Sequence, residues 1–167
     1  MSSRPPVRVL FLCTFNSARS IMAEAVLNHL GKGRFIGYSA GSQPNPSQQP
    51  NPLAIQVLKS SGVATDGLRS KNWSEFSGPD APVMDLVITL CDNAAAEDCP
   101  VWPGQPAKAH WAYADPALLA GTDASKVDGF RTILLGIRRR LDAVVNIPDE
   151  KISKLSLQKT VKDLETH

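Results

Sequence analysis

The stretch Val9-Leu-Phe-Leu-Cys-Thr-Phe-Asn-Ser-Ala-Arg-Ser20 constrains the fold of this chain more than any other. Val7, Val9, Leu10, Phe11 and Leu12 make a short apolar run, partly β-branched and preceded by Pro5-Pro6, as expected of a strand covered on both faces. From Ser20 the period changes. Ile21, Met22, Ala25, Val26 and Leu30 recur at three- and four-residue intervals, predicting a helix to about Leu30 with Gly31 and Gly33 as its stop.

Between strand and helix lies Cys13-Thr14-Phe15-Asn16-Ser17-Ala18-Arg19, a cysteine and an arginine separated by five residues. A loop at a helix N-terminus turns several backbone N–H groups toward one point, and the helix dipole adds positive potential, so a tetrahedral oxyanion fits in the bowl. Arg19 can close that bowl with two parallel hydrogen bonds, which a lysine cannot copy. The same field favours the thiolate of Cys13, the nucleophilic form. The spacing alone is weak evidence. A strand before it, a helix after it, and Asn16, Ser17 and Ser20 available to brace the loop make it specific. The alternative is a small buried cysteine at a strand end.

The rest of the chain supplies partners to this loop. Its 167 residues, 43% hydrophobic, suit one compact domain over 1–148, followed by a charged tail over 149–167. A formal charge of +2 gives no argument for nucleic acid, and Arg138-Arg139-Arg140 reads as the solvated face of a helix. With no apolar span of membrane length and no hydrophobic signal core, the chain is expected to be cytoplasmic, without a membrane partner. Three cysteines point to redox or catalytic work rather than a structural framework.

Residues 35–42 read as a second strand ending in Ser39, Ala40 and Gly41, small enough to let another backbone approach. Gln43 to Pro52 is a polar surface connection. Leu53, Ile55, Val57 and Leu58 give a short amphipathic helix ended by Gly62, and Asp66-Gly67 and Ser70-Lys71-Asn72-Trp73 are polar and turn-like, with Trp73 assigned to packing. Val83 to Cys91 is a third strand, with Asp85 at the end or edge of the sheet. It delivers Cys91 to the crevice outside the carboxyl ends of parallel strands, where Cys13 also emerges. Cys99 follows eight positions later, after Ala94 to Asp98, a segment able to form about one helical turn. Inert thiols compete with a redox reading of this pair, and a zinc site with His110 would lack a clear fourth ligand.

Ala107 to Tyr113 alternates enough for a fourth strand, ending at Asp115-Pro116; the proline keeps Asp115 extended. An ordinary Asp-Pro turn is the competing reading, and His110 is assigned to packing. Ser125-Lys-Val-Asp128 reads as a capping box that opens a last long helix with an apolar stripe through Val127, Phe130, Ile133, Leu134, Ile137, Leu141 and Val144, ended by Pro148. The tail is spaced for a weakly amphipathic helix, docked or frayed.

Residues 12–20 together with Met22-Ala23-Glu24-Ala25 resemble the low-molecular-weight protein tyrosine phosphatase superfamily and, within it, the arsenate reductases that share its fold. The likeness runs from about Val7 to Val145. It implies an α/β single domain with a four-stranded parallel sheet flanked by helices. It further implies an oxyanion bowl from Thr14, Phe15, Asn16, Ser17, Ala18, Arg19 and Ser20, with Ser39 to Gly41 supporting it. Phe15 departs from the usual non-aromatic residue and alters the rim. The resemblance implies Cys13 as nucleophile, Arg19 as anion clamp and Asp115 as general acid, with oxidation passed from Cys13 to Cys91 and then Cys99. Arsenate would be the substrate, phosphate or sulfate competing anions, and thioredoxin the external reductant, with no bound cofactor or metal. Glutaredoxin with glutathione, or mycothiol, serves some relatives instead. The phosphatases usually carry a tyrosine pair after Asp-Pro; Ala117-Leu118 stands there instead, which favours arsenate reduction over phosphatase activity, the competing expectation.

Overall fold

The computed structural model describes residues 5–44, 46–90, 102, 106–114 and 121–166. Its sheet is built from β1 (Val7–Leu12), β2 (Phe35–Ala40), β3 (Leu86–Thr89) and β4 (Ala107–His110), in the order β2-β1-β3-β4. All pairings are parallel, with Leu12 beside Ala40 on one side and Thr89 on the other. Four α-helices accompany it among the described residues: α1 (Arg19–Gly31), α2 (Pro52–Ser60), α3 (Asp123–Val145) and α4 (Lys154–Asp163). This is the α/β architecture expected.

The continuous apolar run of β1 follows from its inner position. Val7, Val9 and Phe11 face a core completed by Met22 and Val26 of α1 and Phe130, Leu134 and Ile137 of α3. Leu10 and Leu12, on the alternate face, pack with Phe76, Met84 and Trp102. Each such side chain withdrawn from water contributes about 1.5–3 kcal/mol. Both faces of β1 are therefore anchored, and the loop that leaves Leu12 starts from a fixed point. Trp73 packs as expected, edge-on to Trp102 with ring centroids 6.4 Å apart.

Asp85 sits at the start of β3, where its carboxylate accepts the Arg8 N–H at 2.8 Å. The strand itself is shorter than the 83–91 run suggests. Val83 is exposed, and pairing to β1 begins only at Leu86. α1 ends one residue beyond Leu30, and the left-handed residue that closes it is Lys32 (φ 48°), with Gly33 (φ 84°) next. The last long helix also starts earlier than the Ser125–Asp128 pattern implies. The Thr122 hydroxyl accepts the Ser125 N–H, so Thr122 is the cap and Ser125 lies in the first turn.

The charged tail docks. Ile152, Leu157 and Val161 are buried, and the Trp111 indole Nε1 donates to the Val161 carbonyl at 2.9 Å. The Glu165 carboxylate accepts the His110 N–H at 2.8 Å, satisfying a donor on the outer edge of β4. His110 itself meets Thr89 Oγ1 at 2.7 Å through its ring Nδ1. No helix among the described residues is long and apolar enough to cross a membrane.

Candidate active site

The loop between β1 and α1 is held from outside by its own carbonyl groups. Thr14 O accepts the Gln43 N–H at 2.8 Å, Phe15 O accepts the Ser70 hydroxyl at 3.0 Å, and Ser17 O accepts the Asn51 N–H at 2.8 Å. In a trans peptide the carbonyl and the following N–H point in opposite directions. With these three carbonyls turned outward, the N–H groups of Phe15, Asn16 and Ala18 are turned the other way. Asn16 takes a left-handed conformation (φ 48°), which asparagine tolerates better than most residues.

Gly41 closes the loop from behind. A Cβ built there would come within 2.5 Å of the Cys13 carbonyl oxygen and closer still to that of Thr14. Only glycine lets the end of β2 pass this near. The expected supporting role of Ser39 to Gly41 thus rests on close backbone approach, fixed further by hydrogen bonds from Gly41 N to Lys71 O and from Trp73 N to Gly41 O, both 3.0 Å.

Cys13 is buried, and its Sγ lies 2.9 Å from Ser20 Oγ. The neighbouring hydrogen bonds leave the serine free to donate. The Lys71 backbone N–H, which can only donate, meets Asn16 Oδ1 at 2.8 Å, so the other end of that amide, Nδ2, faces Ser20 and donates to its Oγ at 2.7 Å. Ser20 is an acceptor there, so its own hydrogen is not spent on Asn16 and can be given to the sulfur. A hydroxyl donating to sulfur favours the thiolate.

Arg19 is the first residue of α1 and is largely buried, its Nη1 donating to the Tyr113 carbonyl at 2.9 Å. The exit of β4 therefore holds the guanidinium. Ala18, the residue before α1, offers no side-chain cap, whereas α2, α3 and α4 are capped by Asn51, Thr122 and Ser153. Among the described helices, the one whose N-terminus faces the loop is the one whose N-cap residue makes no side-chain cap hydrogen bond, which suits an anion-binding end. Phe15 is half-exposed at the rim and, with Ser17, Gln43, Pro44 and Pro46, lines an open groove of about 410 Å³.

Of the residues expected to form the oxyanion bowl, Thr14, Asn16, Ala18, Arg19 and Ser20 are buried, Ser17 is half-buried and Phe15 is exposed. Cys91, Cys99, Asp115 and the helical turn expected over 94–98 lie outside the described residues. Sequence reading misses three contributors. Tyr113 acts through a backbone carbonyl, which no side-chain pattern reveals. Glu24 and Lys71 form a largely buried pair, Nζ to Oε1 3.5 Å, although Ser70 to Trp73 reads as a polar turn. A carboxylate amid the apolar residues Met22, Ala23 and Ala25 was the signal available.

Arg19→Lys keeps the charge but loses the fork. At about 1.5–3 kcal/mol for a hydrogen bond to a charged group, the expected loss in phosphate affinity is about 10- to 100-fold, measurable by calorimetric titration. Unchanged affinity removes Arg19 as the clamp.

Comparison with known proteins adds a family context. A model of the family described as low molecular weight phosphotyrosine protein phosphatase matches residues 8–159. An arsenate reductase of Bacillus licheniformis is 36% identical over 135 residues, covering 80% of this chain and 91% of that protein. A glutaredoxin arsenate reductase of Synechocystis sp. is 29% identical over 138 residues, covering 83% of this chain and 95% of that one. A solved arsenate reductase in the phosphate binding state has a TM-score of 0.64 at 28% identity, covering 88% of this chain and 99% of that one.

Proposed function

This chain belongs to the low molecular weight phosphotyrosine protein phosphatase family, and from that premise we propose that it is an arsenate reductase whose electrons come from thiols. The observation that carries the proposal is the Cys13 sulfur, 2.9 Å from Ser20 Oγ, at the uncapped start of a helix whose first residue is the buried Arg19. The arsenate reductases among its relatives supply the substrate.

In the proposed reaction, arsenate occupies the bowl with Arg19 and the loop amides of residues 14–20 balancing its charge. The Cys13 thiolate attacks arsenic, and an arsenic-bound hydroxyl leaves as water after taking a proton from Asp115. Cys91 then attacks the Cys13 sulfur. A disulfide forms, the pair of electrons in the sulfur–arsenic bond passes to arsenic, and arsenite departs. Cys99 attacks Cys91 in turn, freeing Cys13 and leaving a Cys91–Cys99 disulfide for an external dithiol to reduce.

Chain connectivity supports these roles. Cys91 directly follows Leu90, whose N–H donates to Leu12 O at 2.8 Å, and Cys13 directly follows Leu12. Asp115 comes two positions after Tyr113, the residue whose carbonyl holds Arg19. Three cysteines are enough for an internal relay, so thioredoxin suffices as reductant and the site is expected to work in a reducing cytoplasm.

The test is arsenite release with thioredoxin, with glutaredoxin plus glutathione, and with mycothiol, on the wild type and on Cys91→Ser and Cys99→Ser. Thioredoxin-driven turnover lost in both variants is the expected result. Undiminished arsenite in Cys99→Ser removes the third thiol from the mechanism. No arsenite with any reductant, together with rapid hydrolysis of aryl phosphates that survives both replacements, makes the protein a phosphatase.

A further inference from the structure

Lys71 is the buried lysine of this fold, with only 9% of its surface exposed. Burial lowers its pKa, and Glu24 opposes that shift. Its ammonium donates to the Arg69 carbonyl at 2.8 Å, to Ser39 Oγ at 3.4 Å and to Glu24 Oε1 at 3.5 Å, and Ser39 Oγ in turn donates to Glu24 Oε1 at 2.5 Å. A charge withdrawn this far from water is retained only where its partners are fixed.

Those partners are spread over three elements, and each element touches the catalytic loop. Glu24 sits on α1, which opens with Arg19 and Ser20. Ser39 is in β2, whose extension Gly41 lies against the Cys13 and Thr14 carbonyls. The 70–72 segment holds Phe15 O through Ser70, holds Asn16 Oδ1 through the Lys71 N–H, and bridges Gly41 at Asn72. The same residue therefore ties the three elements together with its side chain and aims the Asn16 amide with its backbone.

We propose that Lys71 is a positioning residue for Cys13. Its buried ammonium locks α1, β2 and the 70–72 segment in the register that lets Asn16 direct the Ser20 hydroxyl onto the sulfur. Slackening the lock frees the Asn16 amide to rotate, the Ser20 hydrogen no longer points reliably at Sγ, and the thiolate loses a donor. The charged groups bearing on Lys71 are Glu24 from α1 and, from its own segment, Arg69 and Glu75.

The proposal rests on Cys13 being the nucleophile, and its test reads that sulfur without arsenate, so failure here leaves the assignment of substrate untouched. The rate of iodoacetamide modification at Cys13, resolved by peptide mass spectrometry, is followed against pH in the full-length wild type, Lys71→Met, Lys71→Arg and Ser39→Ala. Lys71→Met keeps the apolar stem and is expected to raise the midpoint by about half a pH unit or more. Lys71→Arg restores most of that shift. Ser39→Ala, which changes no charge, raises the midpoint in the same direction by less. A folded Lys71→Met with an unchanged midpoint overturns the proposal, however far its melting temperature falls. So does a shift in Lys71→Met with none in Ser39→Ala, because the lysine then acts as a distant charge. If Lys71→Met does not fold, Ser39→Ala alone decides, and an unmoved midpoint there is fatal to the idea.

Discussion

Cys13→Ser is expected to lower arsenite production by at least about 10⁴-fold while leaving phosphate binding within a few-fold of the wild type. The first half follows from the chemistry of the atom. A serine hydroxyl in the place of Sγ stays protonated at neutral pH, and even after attack on arsenic it cannot form the disulfide that carries two electrons away. The second half follows from how the bowl is made. Its shape is fixed by carbonyls of Thr14, Phe15 and Ser17 bonded to Gln43, Ser70 and Asn51, by Gly41 behind and by Arg19 at the start of α1, and none of these contacts uses the sulfur. Serine is also smaller, so the buried site accepts it without crowding. Arsenite release under excess dithiol and calorimetric titration with phosphate make the two measurements. Turnover within tenfold of the wild type sinks Cys13 as the nucleophile, whereas joint loss of turnover and binding means the sulfur also shapes the bowl.

The part of this site that could be read from sequence is the part with local causes. An inner strand of a parallel sheet must be apolar on both faces, so Val9 to Leu12 announces β1; the change to a helical period at Ile21 announces α1; the loop between them is then fixed in length. Ser39 to Gly41 could be placed near it because small residues at a strand end serve close approach. What escaped depends on contacts distant in sequence. Lys71 lies 47 residues from Glu24 and 55 from Asn16, and its neighbours Ser70 and Asn72 are typical of surface turns. Its burial is decided by the meeting of three elements and by nothing within the segment. The misplaced start of α3 has a local cause. Thr122 and Ser125 are spaced like a cap and its first turn, and Ser125 and Asp128 repeat that spacing one turn later, so pattern alone cannot rank them. The structure selects Thr122 because its hydroxyl accepts the Ser125 N–H at 3.2 Å.

Gly41→Ala is the substitution expected to separate the geometry of the loop from the stability of the fold. The added methyl would stand within 2.5 Å of the Cys13 carbonyl oxygen, and both obstructing atoms are backbone, which cannot swing aside as a side-chain tip can. Relief requires β2 to retreat or the loop to shift. Overpacking of this kind costs about 1–3 kcal/mol, a fall of about 2–12 °C in melting temperature for a chain of this size. The effect on turnover should be larger than stability explains. A displacement of about 1 Å at a reacting group costs on the order of 100-fold in rate, and the displaced atoms here belong to Cys13 and Thr14 themselves. Gly33→Ala supplies the control. That glycine has φ 84° and nothing within 4 Å of a built Cβ, and it sits beyond the far end of α1, about 20 Å from the loop. Alanine there is strained by about 1–2 kcal/mol, comparable in stability, with arsenite release unchanged below the melting transition. Equal activity in the two variants would mean that the passage of β2 behind Cys13 tolerates displacement, and the loop would then owe its shape to the outward carbonyl bonds and to Arg19 alone.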